Sequence, residues 1–249
     1  MTEHFSAALS PALRRALDLL VDPPTNPEVD KGYLDLLGTL PSTEADPPKN
    51  TGAVQALWAS PLGSMLYDKA QVLARRLTTA WHQPTEWLDI PPGGVALDVG
   101  SGPGNVTATL ARAAGPDGLA LGVDISEPML ARAARAEAGP QVGFLRADAQ
   151  RLPFRDETVD AAISVAMLQL IPDPTVALAE MARVLRSGAR MAVMVPTAGR
   201  AAGLMRFLPH AGAHFFTEDE LGDIFEDLGL VGVRTKSFGT VQWVRGRRP

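Results

Sequence analysis

No cysteine occurs in the 249 residues. Its absence excludes a disulfide framework, a thiolate nucleophile and structural zinc of the cysteine type, and no metal site is expected. Long apolar runs are missing too, since none approaches the roughly 20 residues that a membrane span needs. Residues 1–21 interrupt their apolar positions with Glu3, His4, Arg14, Arg15 and Asp18, a poor pattern for a secretory leader; a cytoplasmic protein is expected. Lysine is scarce, occurring only at Lys31, Lys49, Lys69 and Lys236, and the formal net charge is −5. That sign opposes tracking of a phosphate backbone. Arg245, Arg247 and Arg248 form the one basic cluster, expected to be a solvated tail. A small-molecule partner is therefore expected and a nucleic acid is not, while oligomeric state stays open.

Composition divides the chain near Pro91-Pro92-Gly93-Gly94. Upstream, Leu13, Ala16, Leu17 and Leu20 recur at helical spacing within a helix over 10–21. Six prolines between Asp22 and Lys49 predict irregular chain, with at most a short turn around Tyr33 to Leu37. Leu66, Ala70, Leu73, Leu77 and Trp81 then predict a helix over 62–81. Residues 1–90 read as a helical and irregular extension acting as a lid, and 91–249 as the main domain.

Downstream of Gly94, short apolar runs alternate with helical stretches. Strands are predicted at 95–99, 119–124, 142–147, 159–164 and 190–195, with helices at about 106–114, 127–138 and 174–185. Such alternation builds βαβ units and a buried parallel sheet. Ser126 is placed to cap the second of these helices, and Asp173-Pro174 opens the third. Thr217-Glu218-Asp219-Glu220 is a capping box, with Phe216 and Leu221 as its hydrophobic staple. Strands at 231–238 and 241–245 flank Gly239-Thr240 as a closing hairpin. The fold class expected is α/β and doubly wound, with a mainly parallel sheet.

The stretch that bears on chemistry is Val95-Ala96-Leu97-Asp98-Val99-Gly100-Ser101-Gly102-Pro103-Gly104-Asn105. A buried strand runs into three alternating glycines and then a helix, at a strand's carboxyl end, where open α/β sheets bind ligands. A dinucleotide loop places its third glycine where Asn105 stands here. Asp98, two residues before the first glycine, would also repel a pyrophosphate. An acid there instead favours a ligand carrying an ammonium and a sulfonium. Asp124 and Asp148 end the next two strands. The first is placed to accept from ribose hydroxyls or to serve helix N-terminal charge; the second to accept from an adenine amino group or to be an ordinary loop acid. Val165-Ala166-Met167-Leu168, after the fourth strand, offers an apolar wall.

At these residues the sequence resembles the class I S-adenosylmethionine-dependent methyltransferases, in particular the ubiquinone and menaquinone group. The likeness runs from about Trp87 to Pro249. It rests on Leu97 to Gly104, on Gly122-Val123-Asp124-Ile125-Ser126-Glu127-Pro128-Met129-Leu130 and on Asp148-Ala149-Gln150-Arg151-Leu152-Pro153-Phe154. Glu180-Met181-Ala182-Arg183-Val184-Leu185-Arg186 and Phe216 to Leu221 add structural echoes. The resemblance implies a Rossmann-like, seven-stranded sheet with an antiparallel C-terminal hairpin. It also implies S-adenosylmethionine as cofactor, with Asp98 and the glycines at its methionine end, Asp124 at its ribose, and Asp148 with Ala149 at its adenine. Candidate cofactor residues are thus Asp98, Gly100, Ser101, Gly102, Gly104, Asn105, Asp124, Ile125, Met129, Asp148, Ala149 and Val165, with Tyr67 and Met65 reaching over from the extension. The quinone enzymes carry an Arg-Asn pair after the fourth strand where this chain has Gln169-Leu170-Ile171. The family's usual Lys-Pro-Gly-Gly turn is here Arg186-Ser187-Gly188-Ala189. Lys31-Gly32-Tyr33-Leu34-Asp35-Leu36-Leu37 faintly resembles the end of small zinc-ribbon modules that precede some methyltransferases, and without cysteine it would be metal-free.

Methyl transfer from a sulfonium requires alignment more than activation, and positioning alone contributes up to about 7–11 kcal/mol. A general base is needed only when the acceptor must lose a proton. His210 and His214 are the candidates, with His82 weaker, because imidazole titrates in the right range. Met205, Phe207, Leu208, Phe215 and Phe216 predict an apolar acceptor pocket, hence a small, partly apolar acceptor methylated at oxygen or carbon. The competing readings are a non-catalytic S-adenosylmethionine-binding protein and a nucleotide-dependent oxidoreductase.

Overall fold

The computed structural model describes residues 9–29, 31–37, 85–196, 216–239 and 241–249. Helix α1 spans Pro11–Leu17, capped by Ser10, whose side chain accepts from the Leu13 N–H. It is followed by strand β1 at Leu34–Asp35 and helix α2 at Thr85–Leu88. The alternating part runs β2 Val95–Val99, α3 Asn105–Ala114, β3 Leu119–Asp124, α4 Glu127–Glu137 and β4 Val142–Arg146. It continues with β5 Val159–Val165, α5 Pro174–Val184, β6 Leu185–Pro196, α6 Glu220–Asp227, β7 Val231–Phe238 and β8 Val241–Arg247.

Among the described residues the strands form one eight-stranded sheet in the order β1-β4-β3-β2-β5-β6-β8-β7. All pairings through β6 are parallel, and β8 pairs antiparallel with both β6 and β7. The chain builds outward from β2 in one direction through β3 and β4, then returns to build through β5 and β6. The order therefore reverses at β2, and the crevice for a ligand lies beyond its carboxyl end.

Period-2 alternation sorts each central strand onto two faces. Leu97, Val99, Leu121 and Val123 meet α1, α5 and α6 on one side. Ala96, Ala120, Phe144, Ala161, Ile163 and Ala192 meet α2, α3 and α4 on the other. The second face is mostly alanine, which lets α3 and α4 approach closely.

The sheet has one strand more than the seven expected. Residues 34–35 are not a turn: they pair in parallel with Leu145 and Arg146 at the sheet edge. Leu34 and Leu36 are buried there, and no local pattern announces a two-residue strand whose partner lies over a hundred residues away. The first helix is shorter than predicted because Leu20 leaves it to bridge Phe154, while the Val21 N–H donates to the Pro153 carbonyl. Strand β6 begins five residues early, since Leu185 follows α5 directly and pairs with Val159. The basic cluster is no free tail. Arg245 stacks over the Trp87 ring at 4.6 Å, and Arg248 donates to the Arg183 carbonyl at 2.8 Å and pairs with Glu157. No helix among the described residues is long and apolar enough to cross a membrane.

Candidate functional site

Alternation places Asp98 on the same face as Ala96, toward α3. It is fully buried. One carboxylate oxygen accepts from the Thr107 hydroxyl at 2.6 Å, and the other has no partner among the described residues. Burial pushes this carboxyl up to about 7, against the opposing Thr107 hydrogen bond and with a further push from Asp124. A buried acceptor in low dielectric, with no cation against it among the described residues, is an energetic liability that a ligand's positive charge would relieve.

The glycine loop is shaped by its neighbours. All three glycines have positive φ, 77° at Gly100, 50° at Gly102 and 86° at Gly104. A Cβ at Gly100 would fall 2.3 Å from Met167 Cγ, and one at Gly104 2.7 Å from Phe144 Cζ. At Gly102 a Cβ would meet nothing within 4 Å; this glycine faces open space. The loop's backbone donors are spent internally. Gly100 and Ser101 N–H groups both donate to the Val123 carbonyl, Gly104 N–H to the Ser101 carbonyl, and Gly102 N–H to Asp124 Oδ2 at 2.8 Å. A phosphate cradle needs such donors free, so this loop does not suit a pyrophosphate.

Asp124 is half-buried at the end of β3. Besides Gly102 it accepts from the Ser126 N–H at 2.8 Å, and burial raises its carboxyl above the ordinary range. Its two oxygens thus tie the glycine loop to the start of α4 while each keeps a second lone pair. This corrects the expected cap: the Ser126 hydroxyl makes no capping bond and is buried without a partner. Asp148, half-buried, accepts from the Gln150 N–H at 2.9 Å, which turns the chain and leaves Ala149 beside it half-exposed. Ile125, Asn105 and Val165 are also half-buried, and Met129 is buried on α4.

Among the described residues, buried polar atoms without partners include Asp98 Oδ1 and Ser101 Oγ at the end of β2, Ser126 Oγ before α4, and Ser164 Oγ and Gln169 Oε1 near the end of β5. A buried carboxylate oxygen left unpartnered, with the Asp124 carboxylate at the next strand end, fits a ligand bearing an ammonium and ribose hydroxyls, which is the chemistry of S-adenosylmethionine. The structure brings together Asp98, the three glycines, Ser101, Asn105, Asp124, Ile125 and Met129 around β2 and β3, with Asp148, Ala149 and Val165 at the neighbouring strand ends. Tyr67, Met65, His82, His210 and His214, and the pocket residues Met205, Phe207, Leu208 and Phe215, lie outside the described residues.

Two side chains at the site, Thr107 and Arg146, carry no signal in the motif reading, and Met167 enters it only as part of an apolar wall. Thr107, on the first turn of α3, satisfies one oxygen of Asp98; its helical position was the only available hint. Met167 covers Gly100 because Ala166, with φ of 55° in the left-handed region, redirects the chain after β5. The Ala166 carbonyl accepts from Gln169 Nε2 at 2.7 Å, bracing that turn. Arg146 braces the far side of the Asp124 turn.

Comparison with known proteins agrees with this geometry. Residues 97–193 match the family described as methyltransferase domain. The demethylmenaquinone methyltransferase of Roseiflexus castenholzii is 32% identical over 194 residues, covering 68% of this chain and 81% of that protein. An uncharacterized 37.1 kDa protein in transposon TN4556 of Streptomyces fradiae is 43% identical over 110 residues, 44% of this chain, which spans only 32% of that protein's length. Among solved structures, a chain in the complex of the Haloferax volcanii Trm112 methyltransferase activator with a methyltransferase superposes with a TM-score of 0.65 at 20% identity. That match covers 80% of this chain and 99% of the other, and it speaks to the fold. With the acid-and-glycine cradle at the sheet's switch point and a relative aligned over most of its length, the chain belongs to the class I S-adenosylmethionine-dependent methyltransferases.

Proposed function

We propose that the protein transfers a methyl group to oxygen or carbon of a small, partly apolar metabolite. In this reading Asp98 takes the ammonium of the cofactor's methionine end, Asp124 its ribose hydroxyls, and Asp148 with Ala149 its adenine. S-adenosylmethionine supplies an electrophilic methyl on a sulfonium; the chain's part is to hold that end of the cofactor dry and aligned. Asp98 is the observation that carries the reading, a fully buried carboxylate with one oxygen unpartnered and no cation against it among the described residues. The likeness to a demethylmenaquinone methyltransferase supports an apolar acceptor, while Gln169-Leu170-Ile171, where the resemblance to the quinone enzymes calls for an Arg-Asn pair, argues for an acceptor other than a quinone. His210 and His214 keep the general-base role read from the sequence for acceptors that must lose a proton. The extension over residues 1–90, Tyr67 among them, keeps the lid role read from the sequence.

Thermal unfolding with S-adenosylmethionine, its demethylated product and NAD tests the cofactor assignment. At about 100 times the dissociation constant a ligand stabilises by about 2.7 kcal/mol, or about 5–10 °C in a chain of this size. The first two ligands are expected to give that shift, and Asp124→Ala to abolish it; a shift with NAD alone would reject the assignment. Single-turnover release of the demethylated product, screened over phenolic and hydroquinone acceptors, then separates an enzyme from a binding protein. Loss of turnover with retained cofactor binding in His210→Ala or His214→Ala would identify the base.

A further inference from the structure

The turn that carries Asp124 is held from outside by a charged network that the cofactor motifs do not include. Arg146 ends β4. Its Nε donates to the Ile125 carbonyl at 3.2 Å, the residue between Asp124 and Ser126. Its Nη1 pairs with Asp35 Oδ2 at 3.0 Å and with Glu127 Oε1 at 2.9 Å. Lys31 closes the circuit by pairing with the other Glu127 oxygen. The main chain is tied as well, since the Arg146 carbonyl accepts from the Leu36 N–H at 3.0 Å.

Each contact has a direction that matters for the site. The three residues from Asp124 to Ser126 lead out of β3 into α4, and only this short turn sets where the Asp124 carboxylate and the Ile125 side chain stand. Internally the turn is fixed by Asp124 itself, through Gly102 and Ser126. Externally it is fixed by Arg146 at the Ile125 carbonyl and by Glu127 one residue further on. The Lys31 hydrogen bond, with Arg146 behind it, holds the Glu127 carboxyl below the usual carboxylate range; Glu127 therefore stays charged and the circuit intact near neutral pH. A guanidinium is suited to this task because its planar fork reaches two acids and a carbonyl at once.

We propose that Arg146 is a positioning residue for the adenosine half of the cofactor, anchored by Lys31 and Asp35 of the amino-terminal segment. The inference rests on the cofactor reading above. It gives that segment a role besides packing: cofactor affinity depends on β1 being docked. The side chains of Arg146 and Asp35 are each 24% exposed, and a cleft of about 100 Å³ lined by Glu28, Lys31, Tyr33 and Asp35 lies beside them. Salt can therefore screen the circuit.

The test compares wild type with Arg146→Met, Arg146→Lys and Asp35→Asn. Arg190→Met is the control, removing an arginine of similar exposure that pairs with Asp89 near the opposite ends of the strands. Calorimetric titration with S-adenosylmethionine and with its demethylated product, at a temperature where circular dichroism shows every variant folded, gives the dissociation constants. Arg146→Met is expected to raise both about tenfold, Arg146→Lys and Asp35→Asn less, and Arg190→Met not at all. Raising sodium chloride from 50 mM to 500 mM is expected to weaken binding by wild type more than by Arg146→Met. Hydrogen exchange of the ligand-free proteins is expected to show faster exchange at residues 125–127 in Arg146→Met only. A purely structural role would lower the unfolding midpoint and leave affinity and local exchange unchanged, which overturns the proposal, as would equal weakening by Arg190→Met. Failure of wild type to bind either ligand, with the local exchange effect present, would remove the cofactor reading and the positioning role together while leaving the brace as a structural fact.

Discussion

Asp98 shows how one residue carries two opposed requirements. Its carboxyl titrates near 7 because burial disfavours the charge, so the ligand-free protein holds a proton there that the unfolded chain loses near pH 4. Native stability contributed by that proton is present below the unfolded value and is lost as pH rises through about 7. An ammonium beside the carboxylate reverses the preference and expels the proton. Cofactor affinity is therefore expected to rise roughly tenfold between pH 6 and pH 8 through this group, with a falling limb setting in as the ligand's own α-amino group deprotonates near 8. Asp98→Asn should abolish the rising limb, weaken binding, and raise the ligand-free unfolding midpoint at pH 8. Titration calorimetry across pH together with thermal melts reads all three, and an unchanged pH profile in the variant would assign the titration to another group.

At the scale of elements, the stretch Glu180 to Leu185 does structural work that its motif likeness left unspecified. Glu180 on α5 accepts from the Leu152 N–H at 2.8 Å and pairs with Arg183 at 2.7 Å. Arg183 also donates to the carbonyls of Leu152 and Phe154 and pairs with Asp156. One side chain thus satisfies the main chain of the connection between β4 and β5, the loop that begins with Asp148. Arg183→Leu is expected to cost about 2–4 kcal/mol, because it leaves those carbonyls and Glu180 without their donor. A urea midpoint displaced by less than the equivalent of 1 kcal/mol would show that water replaces the guanidinium without penalty. Other element boundaries follow local chemistry. Asp173 caps α5 by accepting from Thr175 and Val176 N–H. Glu220 reaches back to the Thr217 N–H at 2.9 Å, which is half of the expected capping box, but the helix starts at Glu220 with Asp219 as its N-cap and no side-chain capping bond. The staple residues Phe216 and Leu221 are both buried.

For the whole molecule, the described part of the amino-terminal extension is built into the sheet domain. Ala12, Leu13 and Ala16 pack in the core on one face of the sheet, and Leu13 lies over Gly143, where a Cβ would stand a tight 3.2 Å from Leu13 Cδ2. Leu20, Leu34 and Leu36 join the same cluster. Burying side chains of this kind contributes about 1.5–3 kcal/mol each for the leucines, a sum comparable to the total stability of a domain. Deleting residues 1–37 is therefore expected to abolish cooperative unfolding. A truncated chain that still melts in one sharp transition would show that the extension is a separable module.

The order of strands and helices from Val95 to Arg247 was legible in the sequence, because hydrophobic period, glycine and proline positions and capping residues act within a few residues of one another. Asp98, the glycines and Asp124 were legible as a site for the same reason: a strand, a turn and a helix in succession leave their geometry in the local pattern. Tertiary structure alone decided the rest. Thr107 satisfies Asp98, Met167 covers Gly100, Arg146 grips Ile125, and Leu34–Asp35 adds an eighth strand, each through contacts between segments whose meeting no local periodicity encodes. Burial likewise set the protonation of Asp98, since the identity of a carboxylate fixes its ordinary titration range and only the surrounding fold removes the water that maintains it.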